Sequence, residues 1–331
     1  MKSLIKALTE ITGPSGYEEK IRDFIIDQIK DHVDNFEVDA LGNLIVRKGN
    51  KASNGKVIML AAHLDEIGIM ITHVDANGFA RFSTLGGVYP RNMAGGRVRF
   101  LNGDSGIIGM EPGGTIKSVP DIAKMYVDFG VTTKKDCPVN IGDVACFERT
   151  FTDLGDRIVA KAMDDRVGIA ILIELLKNAK TGPNQIVGVF TTQEEVGTRG
   201  AASAAFGVMP DIGIAIDVTI TGDTPNANLM EVALGKGPAI KIKDSGMISD
   251  PKVVKWMVET ATHAKIPFQR EILAAGWTDA KAIQVSRDGV PAGCISIPCR
   301  YVHSPSEMID INDVTNAIKL LSNLVSKTIS I

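Results

Sequence analysis

Apolar and polar positions along this 331-residue chain fall into two textures. In the first, residues 57–62, 186–190, 212–216 and 292–297 are continuous, largely β-branched apolar runs of strand length. That is the pattern of strands buried on both faces. Helical periodicity lies between and around them. Residues 3–11 predict a short amphipathic helix, and Ile21, Phe24, Ile25 and Ile29 give the next helix one buried face. Ser15 and Glu18 have the spacing of a capping box for that helix. Residues 167–176 are apolar nearly all round, as in a helix packed against a sheet, and Asp165 is placed to cap it. Residues 201–206 form a small-residue helix, Asp250-Pro251 opens one that runs to about His263, and 278–285 reads as another. Val314, Ile318, Leu321 and Val325 carry a final amphipathic stripe. Residues 36–47 alternate about Leu41-Gly42-Asn43, which predicts a hairpin.

The second texture occupies the middle of the chain. Residues 69–74, 79–83, 97–101, 105–110 and 144–147 are short β patterns separated by turns such as Asp75-Ala76-Asn77-Gly78 and Asn102-Gly103-Asp104. No long helical period interrupts them. The chain therefore predicts an α/β domain formed by residues 1–66 and 158–331, with a small β-rich domain, 67–157, inserted into it. There is no internal repeat and no low-complexity segment.

Composition narrows the function classes. With 44% hydrophobic residues the chain can bury a large core, and a net charge of −3 offers no basic surface for nucleic acid or an anionic membrane. No apolar run approaches membrane-spanning length, and the first residues lack a secretory apolar core with a cleavage site. Cys137, Cys146, Cys294 and Cys299 show no Cys-x-x-Cys spacing and read as buried thiols. A cytoplasmic protein is expected.

The candidate chemistry sits where the buried runs stop, because ligands of open α/β sheets bind beyond the carboxyl ends of strands. One run ends in His63-Leu64-Asp65-Glu66, one in Glu194-Glu195, one in Asp217, and His303 follows a fourth. Asp164-Asp165 opens a helix. Neighbouring side chains of an extended segment point opposite ways, so one of Glu194 and Glu195 can hold a cation while the other faces a water or substrate. A solvated acidic turn is the plainer alternative. Imidazoles with several carboxylates suit zinc, cobalt or manganese. Two ions need a bridging carboxylate, for which Asp164 is the natural candidate, and an uncoordinated carboxylate beside them serves as general base. His32 and His263, near helix ends, and His73, in the β-rich stretch, read as structural or solvated.

Five motifs then carry a resemblance: Ala61-Ala62-His63-Leu64-Asp65-Glu66-Ile67-Gly68, Lys161-Ala162-Met163-Asp164-Asp165-Arg166-Val167-Gly168, Gln193-Glu194-Glu195-Val196-Gly197-Thr198-Arg199-Gly200-Ala201, Ile216-Asp217-Val218 and Arg300-Tyr301-Val302-His303-Ser304-Pro305. In this order they resemble the tetrahedral aminopeptidases, dinuclear metallopeptidases that include glutamyl aminopeptidases and proteins labelled cellulase M. The resemblance spans nearly the whole chain. It implies a mixed-sheet, zinc-peptidase-like catalytic domain with an inserted small β-barrel-like dimerisation domain, whose dimers build a hollow dodecamer. It implies two divalent ions, zinc or cobalt, with His63, Glu195 and Asp217 as ligands, Asp164 as bridge and His303 completing the ligand set of the second ion. Glu194 is implied as general base on a water bridging the ions, Asp65 as the carboxylate orienting His63, and Asp164–Asp165 as a cis peptide. The expected activity is removal of N-terminal residues from short peptides.

One departure bears on specificity. Where the family usually has Gly-Gly-Thr-Asp-Ala, this chain has Ala275-Gly276-Trp277-Thr278-Asp279-Ala280. Trp277 either reshapes the pocket for the substrate's first side chain or is a core aromatic, the second being our expectation. A glycoside hydrolase of endoglucanase type is the rival enzyme. Adjacent acids fit it poorly, since its carboxylates must flank the bond at least ~5 Å apart, and 5% aromatics supply few sugar-stacking platforms. A non-catalytic scaffold on the same fold is the rival outside catalysis, and the intact ligand set argues against it.

Overall fold

The computed structural model describes residues 1–112, 121–227 and 229–331. Two helices, α1 (Lys2–Glu10) and α2 (Glu19–Ile29), lead into the hairpin β1 (Asn35–Val38) and β2 (Leu44–Lys48), then β3 (Val57–His63). Six strands follow: β4 (Gly68–Val74), β5 (Ala80–Leu85), β6 (Arg97–Phe100), β7 (Ser105–Met110), β8 (Met125–Asp128) and β9 (Val144–Phe147). They close into a barrel in the order β4-β5-β8-β7-β6-β9, with its own core around Ile69, Phe82, Val98, Phe100, Val127 and Phe147.

The chain then returns through β10 (Thr152–Leu154), β11 (Arg157–Ala160), α3 (Met163–Asn178), β12 (Gln185–Thr191), α4 (Arg199–Val208) and β13 (Ile212–Thr219). After these come β14 (Ala239–Lys243), α5 (Pro251–His263), β15 (Gln269–Ile272), α6 (Ala280–Gln284), β16 (Ala292–Arg300), β17 (Glu307–Asp310) and α7 (Ile311–Val325). Among the described residues they complete a mixed 11-stranded sheet, β1-β2-β12-β3-β13-β16-β17-β11-β10, with β14 and β15 branching from β16. Thr152–Leu154, within the stretch expected for the insertion, pairs with β11 in this sheet, so the barrel strands end at Phe147.

The four strands at the centre, β12, β3, β13 and β16, are mutually parallel and buried on both faces. Their side chains alternate as the pleat requires. Ile58 and Leu60 join one core with α3 and α7, while Met59 and Ala61 join another with α4 and α6. Parallel pairing brings the carboxyl ends of the strands to one edge, with Thr191 beside His63 and Asp217 beside Ser296. The four runs read as buried strands are these four, and every helix expected from the periodicity is present. The strands β8, β10, β11, β14, β15 and β17 have no counterpart among the expectations. They are three to five residues long and carry charged residues, so no apolar run marks them.

One local expectation is corrected. Ser15 and Glu18 do not form a capping box: α2 has no side-chain cap, and both residues are turned toward the functional edge. The pattern is local and degenerate, and tertiary acceptors and donors outcompete the helix end for these side chains.

Candidate metal centre

His63 is the last residue of β3, Asp217 lies near the end of β13, and Glu194 and Glu195 follow β12. Asp164 precedes the regular turns of α3, and His303 sits in the loop between β16 and β17. The fold brings these into two overlapping groups. His63, Asp164 and Asp217 offer ligand atoms within 4.8 Å of one another, and so do Asp164, Glu195 and His303. Asp164 belongs to both. Its Oδ1 lies 3.0 Å from Nε2 of His63, and its Oδ2 lies 3.4 Å from Nε2 of His303. Asp217 Oδ1 is 4.0 Å from His63 Nε2, and Glu195 Oε2 is 3.3 Å from His303 Nε2. The peptide between Asp164 and Asp165 is cis.

Main-chain carbonyls set both imidazole tautomers. Nδ1 of His63 donates to the carbonyl of Asp65 at 3.0 Å, and Nδ1 of His303 donates to the carbonyl of Gly87 at 2.8 Å. A carbonyl can only accept, so each Nδ1 carries the proton and each Nε2 is left as a donor atom for a cation. Gly87 follows β5, so the inserted barrel contributes directly to this centre. A Cβ at Gly87 would stand 2.8 Å from His303 Nδ1, which explains the glycine there.

The carboxylate of Asp65 stands beside His63, as expected, and has a further job. It lies 3.5 Å from His63 Nδ1, farther than its own carbonyl, and accepts the main-chain N–H groups of Glu194 at 2.9 Å and Glu195 at 3.2 Å. Ser15 donates its hydroxyl to Asp65 at 2.5 Å, and Glu18 accepts from the N–H of Gln193. These acceptors hold the turn that presents the two glutamates to the cavity. Asp165 accepts the N–H of His63 and caps α3 through the N–H of Gly168. Glu307 accepts from the N–H of Asp164 at 3.0 Å and of His303 at 2.7 Å, joining the bridge to the His303 loop. Neither Glu307, Gly87, Ser15 nor Glu18 was singled out for this work by the sequence. Glu307 lies two residues beyond the last motif, whereas Gly87, Ser15 and Glu18 are far in sequence from all five.

The electrostatics favour a cation. Burial pushes the carboxyls of Glu194 and Asp217 well above the usual range and raises Glu195. Burial lifts Glu307 to about 8. Burial also works against the charged form of His303, yet Glu195 and Asp164 beside it push it up to about 12. Charges taken out of water must be paired. Imidazole and carboxylate donors in two groups that share one bidentate residue match the donor preferences of zinc or cobalt. Oε1 of Glu194 is buried without a hydrogen-bond partner among the described residues, which leaves it free for a water or substrate. The two groups open onto a cavity of about 390 Å³ lined by Glu194, Leu273, Trp277 and Val302. Trp277 is therefore a cavity residue, 47% exposed, and not the core aromatic expected. Its position after β15, beyond the sheet edge, keeps it out of the helix-packed cores.

Parallel strand ends that converge imidazoles and carboxylates beside a cavity, with a barrel reaching in from the side, make a candidate metal centre of the kind used in hydrolysis, carried on an α/β sheet. The chain belongs to the M42 glutamyl aminopeptidase family, whose model matches residues 42–320. A relative from Acetivibrio thermocellus is 49% identical, covering 97% of each chain. An aminopeptidase from the archaeon Desulfurococcus kamchatkensis superposes with a TM-score of 0.94 at 38% identity, covering 98% of this chain and 94% of that one. The Pyrococcus horikoshii TET1 peptidase, described as assembling into a tetrahedron or a large octahedral shell, superposes at 0.87 with 33% identity and 98% coverage of both chains. Among the described residues, no helix is long and apolar enough to cross a membrane.

Proposed function

We propose that this chain is a two-metal aminopeptidase that removes N-terminal residues from short peptides. The observation that carries the proposal is Asp164, each of whose carboxylate oxygens faces a different histidine. His63, Asp164 and Asp217 would hold one ion and Asp164, Glu195 and His303 the other, zinc or cobalt by donor type. When bound, the ions supply Lewis-acid polarisation of the scissile carbonyl and acidify the attacking water. The protein supplies the rest. Glu194, with an unpartnered oxygen at the cavity wall, takes the water's proton and passes it to the departing amine. Asp65, Ser15 and Glu18 fix the turn that carries it, and the cavity receives the side chain of the N-terminal residue. Mass spectrometry of digests tests this. A metal-loaded sample should shorten a free peptide one residue at a time from its N-terminus and leave the N-acetylated peptide intact. Internal cleavage of both would refute an aminopeptidase.

The inserted unit, close to the expected 67–157, is proposed as a self-association module in addition to its contact with His303. A homododecamer in the cytoplasm is the state we propose. Ile107 and Ile141 are large apolar residues exposed on this segment and suited to burial between copies. Sedimentation velocity should show a single large assembly at micromolar concentration, and a monomer there would contradict the proposal.

A further inference from the structure

The cavity beside the metal centre has a charged residue that the proposed chemistry does not use. Apart from the acids and imidazole of the centre itself, its wall is mostly apolar, with Ile220, Leu273, Ala275, Trp277 and Val302; Tyr89, Thr219 and Thr278 add neutral hydroxyls, and Lys241 is its charged member. Lys241 belongs to β14, where Glu271 of β15 is its cross-strand partner, so the two side chains share a face of the sheet. The ammonium is fully buried and is ion-paired to Glu271, with Asp244 Oδ2 at 3.7 Å. Glu271 also accepts from the hydroxyl of Thr219, another cavity residue, at 2.8 Å. One oxygen of Glu271 and one of Asp244 remain buried without a hydrogen-bond partner. The cluster therefore carries more carboxylate than ammonium, and Lys241 is the group that stands between that excess and the cavity.

From this arrangement we infer that Lys241 sets which N-terminal side chain the cavity accepts. The inference rests on the aminopeptidase proposal and assigns its substrate class. The charge of Lys241 is spent on Glu271 and Asp244, so an acidic side chain finds no free cation. The same ammonium shields the two acids, so a basic side chain finds no free anion away from the metal centre. What is left is a mostly apolar enclosure whose other polar groups are the neutral hydroxyls of Tyr89, Thr219 and Thr278, and the substrates it fits are peptides beginning with an uncharged aliphatic or aromatic residue. Discrimination here works by leaving a charged side chain unpaired in a desolvated wall, which rejects more strongly than a missing methylene does.

The test compares kcat/KM for leucyl, lysyl and glutamyl p-nitroanilides, using the metal-loaded full chain and two variants. For the wild type, the leucyl substrate should exceed both others by at least about tenfold. In Lys241→Met, with Glu271 and Asp244 uncovered, the lysyl-to-leucyl ratio should rise at least about tenfold. In Glu271→Gln, which releases the ammonium, the glutamyl-to-leucyl ratio should rise instead. Circular dichroism and metal content establish that each variant is folded and loaded. Folded variants that keep the wild-type ratios would overturn the inference, as would a wild type that prefers the lysyl or glutamyl substrate. If neither variant folds, the wild-type order decides. Hydrolysis in a different order would refute only this assignment, whereas no hydrolysis of any of the three would refute the aminopeptidase proposal and this inference with it.

Discussion

Glu194→Gln should lower kcat on an aminoacyl substrate by about 10²–10⁴-fold, the span expected when a general base is lost, while leaving metal content and KM near those of the wild type. The amide keeps the size of the side chain and cannot accept the proton. Nothing in the metal groups depends on it, since Glu194 belongs to neither set of convergent ligand atoms. Its neighbour should behave differently. Glu195 lies with Asp164 and His303, so Glu195→Ala should lose an ion together with activity. Metal analysis by mass spectrometry beside steady-state kinetics separates the two residues. Exchanged outcomes would reverse their roles, and an unchanged kcat in Glu194→Gln would send the proton elsewhere.

Asp164→Ala should have the largest effect on metal content of any single substitution. Asp164 is the residue shared by the two ligand groups, and its two oxygens point to different histidines. Its removal should therefore empty both positions, whereas Asp217→Ala or Glu195→Ala should empty one. Activity should fall by more than about 10³-fold, beyond the 10²–10³ typical of losing a single electrostatic stabiliser. The loss should not be a folding defect, because β3, β12, β13 and β16 are held by apolar packing and pairing that do not involve Asp164. Circular dichroism should match the wild type. If Asp164→Ala kept one ion bound at full stoichiometry, Asp164 would not be the bridge.

Much of this centre could be read in advance because each of its groups follows a feature that sequence displays well. His63, Glu194, Glu195 and Asp217 stand at or near the ends of long apolar runs, and such runs are unmistakable when a strand is buried on both faces. What supports these groups was less visible. Ser15 and Glu18 match a helix-capping pattern, and only the approach of Asp65 and Gln193 in space shows their use. Glu307 accepts from the main-chain N–H groups of Asp164 and His303, Gly87 offers its own carbonyl to the His303 ring, and no side-chain pattern records contacts that run through main-chain atoms. Lys241 and Glu271 lie on short strands that no apolar run marks, and both are fully buried as a pair. Pairing across strands reverses what each charge would imply alone.

The claim on which the rest depends is that two ions bound by His63, Asp164, Glu195, Asp217 and His303 drive peptide-bond hydrolysis. Its most direct test is to strip the protein exhaustively with a chelator, add back zinc or cobalt in steps, and follow leucyl p-nitroanilide hydrolysis against ions bound per chain. The stripped protein should be inactive, and activity should return and level off as binding reaches two ions per chain. Full activity in the stripped protein, with no metal detectable by mass spectrometry, would contradict the account.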